Sequence, residues 1–158
     1  MQRSGTHYGR LAAAVLTILI VTLALQAPPA AAQSGVYTPK PGSPERKVLM
    51  NTLRVPVEKD LGMRVIFVIT RPTESLRVLH DWAFINAEFR HENGDPMGEA
   101  YYDATDDSDL VVALLHRVHG RWHVITHDTG TVDVGWPGWS KQYHAPAALF
   151  PRFDLAKP

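Results

Sequence analysis

Apolar positions recur along this chain at two different periods, and the change of period divides it. Val48, Leu49, Leu53, Val57 and Leu61 fall at spacings of about three to four, the period of a single helix face. Arg46, Lys47, Arg54, Glu58 and Lys59 lie largely off that stripe. Ser43-Pro44-Glu45 supplies an N-cap, a proline at the first helical position and an acid near the positive end of the dipole. Gly62 is placed to end the helix in the left-handed conformation. Pro56 cannot donate to the carbonyl four residues back, which predicts a kink near Arg54.

From Met63 onward the texture is that of strands. Val65 to Ile69 is a continuous β-rich run closed by Arg71-Pro72. Leu76 to Leu79 and Trp82 to Phe89 predict a hairpin turning at His80-Asp81. That register puts Leu76, Val78, Ala83, Ile85, Ala87 and Phe89 on one apolar face. His91 to Asp107, with Asn93-Gly94, Asp95-Pro96 and several acids, is expected to be a long loop. Leu110 to Val118 and Arg121 to Thr126 predict a second hairpin at His119-Gly120. Trp136, Trp139 and Tyr143 follow in an aromatic tail, and then an apolar stretch, Ala145 to Phe150.

One helix followed by about four or five antiparallel strands is an α+β plan: a kinked N-terminal helix packed on a curved sheet, with an aromatic C-terminal segment. The runs 65–69 and 110–115 are apolar on both faces. A sheet covered by one helix would leave its other face wet and alternating, so something must cover it. The aromatic tail is one candidate, and a second subunit forming a homodimer is the other.

The N-terminus adds a location. Arg3 and Arg10 precede the uncharged run Leu11–Ala27, Pro28-Pro29 breaks it, and Ala30-Ala31-Ala32 offers small residues for cleavage before Gln33. This is the layout of an export signal. The division expected is a signal peptide over 1–32, a linker over 33–42 rich in glycine and proline, and one α+β domain over 43–158. An uncleaved anchor is the alternative, although the run is short for a membrane span. Without a twin-arginine pair the general secretory route applies. The expectation is a periplasmic or secreted protein with no membrane attachment after cleavage.

Charge and cysteine content narrow the function. The 158 residues hold 16 Lys and Arg against 16 Asp and Glu, without the basic surplus expected of a nucleic-acid binder. Cleavage would remove two of the arginines and leave a slight acidic excess. Zero cysteine excludes a disulfide framework, a thiolate zinc site and a cysteine nucleophile. An exported domain of this kind must be held by its core, which suits a bacterial envelope better than a small eukaryotic secreted module.

A helix packed into a curved antiparallel sheet resembles the cystatin-like and nuclear-transport-factor-2-like folds. Ser43-Pro44-Glu45-Arg46-Lys47, Asp81-Trp82-Ala83-Phe84, Val112-Ala113-Leu114-Leu115, Gly120-Arg121-Trp122 and Asp133-Val134-x-Trp136 also resemble small exported proteins of Gram-negative bacteria. Nuclear-transport-factor-2-like folds host isomerases, dehydratases and pure binding modules, so the resemblance implies architecture and no single activity.

Chemistry-bearing residues are sparse. A turn at His119-Gly120 sets His116 opposite His123, with Cβ atoms about 5 Å apart, and puts His127 on the same face. Two imidazoles there could share a metal, but Asp109 and Asp128 are expected on the opposite face, and no third ligand follows from the sequence. No metal and no cofactor is assigned. A histidine oriented by Asp81 or Asp133 could move protons near neutral pH; the plainer expectation is that His80, His119, Asp81 and Asp133 are turn residues. Asp103, Asp106, Asp107 and Asp109 lack the EF-hand glycine and closing glutamate and suggest a solvated loop. No G-x-S-x-G, H-E-x-x-H or phosphate-loop motif is present. Trp136, Trp139 and Tyr143 could stack on a ligand or anchor a partner, or could cover the second sheet face. Trp122 is expected in the core with Val111, Ala113, Leu115 and Val124.

Two functions remain open. One is a non-enzymatic binding or accessory domain of the envelope, recognising an unidentified protein, peptide or envelope component; Trp136, Trp139, Tyr143, His116 and His123 are its candidate contacts. The other is a nuclear-transport-factor-2-like enzyme of isomerase, dehydratase or hydrolase type acting on a small molecule. Catalysis would require convergent polar groups in a pocket, whereas the inferred core positions are almost all Leu, Val, Ile, Phe and Ala.

Overall fold

The computed structural model describes residues 35–105, 108–130 and 135–152. Residues 1–32, on which the expected export signal falls, and Asp106, Asp107 and Asp133 lie outside them. Helix α1 spans Pro44–Leu61. Ser43 Oγ accepts from the Arg46 amide at 3.3 Å, Pro44 opens the first turn, and Gly62 closes the helix at φ 68°. Pro56 lies inside the helix, which continues past it. Leu49, Leu53 and Val57 are fully buried. Val48 is not on the stripe: it is 50% exposed, as Val55 is at 73%.

The sheet has five antiparallel strands and is open at its edges. They are β1 (Val65–Val68), β2 (Leu76–Leu79), β3 (Trp82–His91), β4 (Leu110–Val118) and β5 (Arg121–Thr129). The spatial order is β1-β3-β4-β5, with β2 also paired to β3. β1 and β2 therefore lie end to end along one edge of β3. Val65 to Val68 pair with His91 to Glu88, and Leu76 to Leu79 pair with Ile85 to Trp82. Between them residues 69–75 leave the sheet through the one-turn helix α2 (Pro72–Ser75), opposite only Asn86 and Ala87. Both hairpins turn where expected.

Alternation divides the sheet's side chains between two cores. On one face α1 packs on Leu76, Val78, Ala83, Ile85, Ala87, Phe89, Val111, Ala113, Leu115 and Trp122. Trp122 is 9% exposed, and Val124 packs beside it. On the other face Leu79, Phe84, Val112 and Leu114 are covered by Trp136, Trp139, Ala145, Leu149 and Phe150. The chain's own tail thus covers the face left open by the helix. It does so through a 3-10 turn at Trp136–Gly138, helix α4 (Trp139–Gln142) and a second turn at Ala147–Leu149. Phe84 sits at the centre, its ring 5.3 Å from Trp136 and 5.5 Å from Phe150.

Three expectations are corrected. The stretch 91–107 is not all loop: α3 runs over Glu99–Thr105, and Met97 enters the helix-side core with Tyr101 and Tyr102 packed on it. Part of the 33–42 segment is laid on the sheet, because Tyr37 and Val78 exchange backbone hydrogen bonds of 3.0 and 2.8 Å. Finally, the β4–β5 register is the expected one only as far as Leu115–Val124. Beyond it Leu114 pairs with Thr126 and Ala113 with His127. Ile125 is the extra residue of a β-bulge, and an extra residue reverses which side chains face which way. His127 consequently sits on the helix side, and Asp128 moves to the face of Val112 and His116. Among the described residues no helix is long and apolar enough to cross a membrane.

Candidate functional site

Both hairpin turns lie at the same end of the sheet, since Trp82 pairs with His116 at the start of β3 and the end of β4. That end gathers His80, His116, His119 and His123. His80 and His119 occupy left-handed backbone, at φ 53° and 50°. His116 is half-buried and stacks on Trp82 with ring centroids 4.1 Å apart. His123 is exposed and is its cross-strand partner, as expected. Arg117 ties the turns together: its amide donates to the Asp81 carbonyl at 2.7 Å, its Nε donates to Asp81 Oδ1 at 2.9 Å, and its guanidinium lies 5.2 Å above the Trp122 ring. Asp81 therefore pairs with an arginine and orients no histidine.

Bulge and helix together create a contact the sequence did not reveal. His127 Nε2 lies 2.7 Å from Asp60 Oδ2 at the C-terminal end of α1. The imidazole is about one-fifth exposed and the carboxylate half exposed. Only a register carrying the bulge turns His127 toward the helix, and nothing in Val124-Ile125-Thr126 announces one.

Trp136 and Trp139 are each 7% exposed and spend their surface on Phe84, Val112 and Leu114. Tyr143 is half-buried, its ring edge-on to Trp139 at 6.4 Å. Of the acidic run, Asp103 is exposed and Asp109 accepts from the Tyr102 hydroxyl at 3.1 Å. Burial, helped by Asp109, raises the Tyr102 phenol above its ordinary range. Burial and a 2.8 Å hydrogen bond to Glu45 push Tyr37 up to about 12. Among the described residues no three of His, Asp and Glu are grouped so as to hold a metal ion.

A further cleft, of about 200 Å³, opens where the β1–β2 edge is interrupted. Arg71, Glu74, Ser75, Asn86, Trp136 and Arg152 line it. Comparison with family models, curated proteins and solved structures finds no match to this chain.

Proposed function

We propose that this chain is an exported, non-enzymatic binding or accessory domain of the bacterial cell envelope. The observation that carries the reading is the filling of the interior. Leu49, Leu53 and Val57 of the helix meet Ala83, Ile85, Ala113 and Leu115 of the sheet with essentially no exposure, and Ser75 is the only polar side chain in the buried class among the described residues. Catalysis needs polar groups converging in a pocket with water excluded. Here the polar and ionisable groups stand outside the two cores, and those at the hairpin end are held on a scaffold stiffened by Arg117. Exposed, rigidly held polar loops suit recognition. Export is supported by Arg3, Arg10 and the run Leu11–Ala27 ahead of Ala30-Ala31-Ala32.

Two measurements test this. Mass spectrometry of cell fractions should find the protein in the periplasm or medium beginning at Gln33; a chain beginning at Met1 in the membrane fraction would make it an anchored protein. A photo-crosslinking residue at His123 should give one discrete adduct in cells. One at Lys47, exposed on the helix, should not; equal labelling from both positions would remove the hairpin end as the recognition surface.

The enzyme reading, a nuclear-transport-factor-2-like isomerase, dehydratase or hydrolase, has one observation in its favour. A carboxylate 2.7 Å from His127 can fix the ring's tautomer and support a proton transfer. It would gain the ground if the purified protein turned over a small molecule and His127→Gln abolished turnover without lowering the melting temperature.

A further inference from the structure

We infer that the notch between β1 and β2 is a binding site for a compact monocarboxylate carrying an adjacent amide, the group found at the C-terminus of a peptide and in a free N-acyl amino acid. The inference rests on the reading of this chain as a binding domain, and it concerns a sheet edge, apart from the hairpin end.

The notch follows from the strand register. β1 releases β3 at Glu88 and β2 takes it up at Ile85, so Asn86 and Ala87 have no strand beside them on that edge. Phe89 donates its amide to the Asp109 carbonyl, and Arg117 donates to the Asp81 carbonyl. Odd-numbered backbone groups of β3 therefore point to β4, and alternation sends those of Asn86 the other way. One N–H and one C=O of a sheet edge thus face the cleft, the pair that an extended amide completes.

The walls supply the rest of the recognition. Ser75, 6% exposed, presents a hydroxyl, and the Trp136 indole presents an apolar surface. Arg71 and Arg152 supply two guanidinium groups. Glu74 lies 3.8 Å from Arg71 and offsets one of them, while Arg152 has no ion pair among the described residues. The lining therefore carries one net positive charge. That matches a carboxylate, which a guanidinium holds with two parallel hydrogen bonds, and Glu74 disfavours a more highly charged phosphate. The cleft is smaller than the usual 300–1,000 Å³ of drug-sized sites, so it encloses one terminal residue, and the rest of a longer chain would lie outside it.

Arg77 holds the two sides of the notch in place. Its Nε and Nη2 donate to the Leu149 and Ala148 carbonyls at 2.7 and 3.0 Å, and its Nη1 to the Thr73 carbonyl at 3.1 Å. Residues 73–75 on one side and the segment leading to Arg152 on the other are fixed before any ligand arrives.

The test is an NMR titration of the isotope-labelled purified protein with N-acetylglycine, with N-acetylglycine amide, with an acetylated tripeptide bearing a free C-terminus, and with inorganic phosphate. Saturable shifts of the Asn86 amide and the Trp136 indole N–H are expected with N-acetylglycine, but not with its amide or with phosphate. Tighter binding of the tripeptide than of N-acetylglycine would identify a peptide terminus as the source; equal or weaker binding would identify a free acid. Arg152→Gln, at an exposed position, should lower the affinity roughly tenfold, the loss expected for one charge-assisted contact. Asn86→Asp sets a like charge beside the ligand and should abolish binding; if that variant does not fold, Arg152→Gln decides. No shift with N-acetylglycine, equal shifts with its amide or with phosphate, or unchanged affinity in Arg152→Gln would each overturn the assignment. None of these results touches the crosslinking at His123, so the recognition reading stands or falls separately.

Discussion

Single side chains on this scaffold act through where the alternation puts them. Trp122 is buried on the helix side beneath Arg117, and truncating a large aromatic in a core costs about 3–5 kcal/mol. Trp122→Ala should lower the denaturant midpoint accordingly, and an unchanged midpoint would show that the ring does not pack. His119 poses the opposite case. It and Gly120 both have positive φ, 50° and 77°, the signature of a tight hairpin turn that favours Asn-Gly. His119→Asn should raise stability by about 0.5–1 kcal/mol, since asparagine tolerates left-handed backbone better than histidine; calorimetry showing a lower melting temperature would mean that the imidazole has a structural partner. Trp122 and the His116–His123 pair could be found from sequence because a two-residue turn at His119-Gly120 fixes parity near the turn. His127 and Asp128 could not, because parity does not survive an unannounced bulge.

Elements were legible where their signals are local. Ser43-Pro44 and Gly62 bound α1, apolar runs flanking short turns mark four of the five strands, and the β-rich run from Val65 marks the fifth. What escaped is set by tertiary contact. α3 is helical in a segment rich in turn residues, anchored by Met97 and by the Tyr101 ring edge-on to Phe89 at 6.0 Å. The pairing of β1 and β2 with the same strand is a long-range choice that no local pattern encodes. Two contacts join elements measurably. Arg77 binds three carbonyls on α2 and the tail, and its burial lowers the guanidinium pKa. Arg77→Met should cost about 2 kcal/mol, the scale of hydrogen bonds to a charged group at a partly exposed site, and should speed amide exchange at Leu149 and Phe150; unaltered exchange there would show that the tail is held by its aromatics alone. Tyr37 joins the N-terminal segment to α1 through Glu45. Its phenol ionises near 10 when unfolded and about 12 when folded, so its contribution is complete below pH 10 and is lost as pH rises toward 12. Stability should fall across that window, and less steeply in Tyr37→Phe; identical alkaline profiles would exclude the Tyr37–Glu45 bond as a source.

For the whole molecule, the two-sided apolar strands demand a second cover, and the tail supplies it. The candidate sites separate along the same line. Aromatic residues that look adhesive in sequence are largely consumed by the fold: Trp139 is buried in the tail-side core, and Trp136 keeps only the edge that lines the notch. The polar groups that the two cores leave outside stand at the hairpin end and in the notch, and their placement depends on how strands terminate and interrupt one another.

The extra residue in β5 has a meaning for life at high protein concentration. β5 is the outermost strand, and an outermost strand with regular spacing is a template on which another copy can crystallise in register. Ile125 spoils that template: a neighbour matched to Arg121–Val124 falls out of step beyond it. Deleting Ile125 would leave Val124 opposite Leu115 and Thr126 opposite Leu114, with every later side chain on its present face, so the monomer should still fold. Its border, however, would become an even ladder. The deletion variant should sediment as higher species and seed fibres at concentrations where the parent stays dispersed, and a variant as dispersed as the parent would mean that something other than the bulge guards this border.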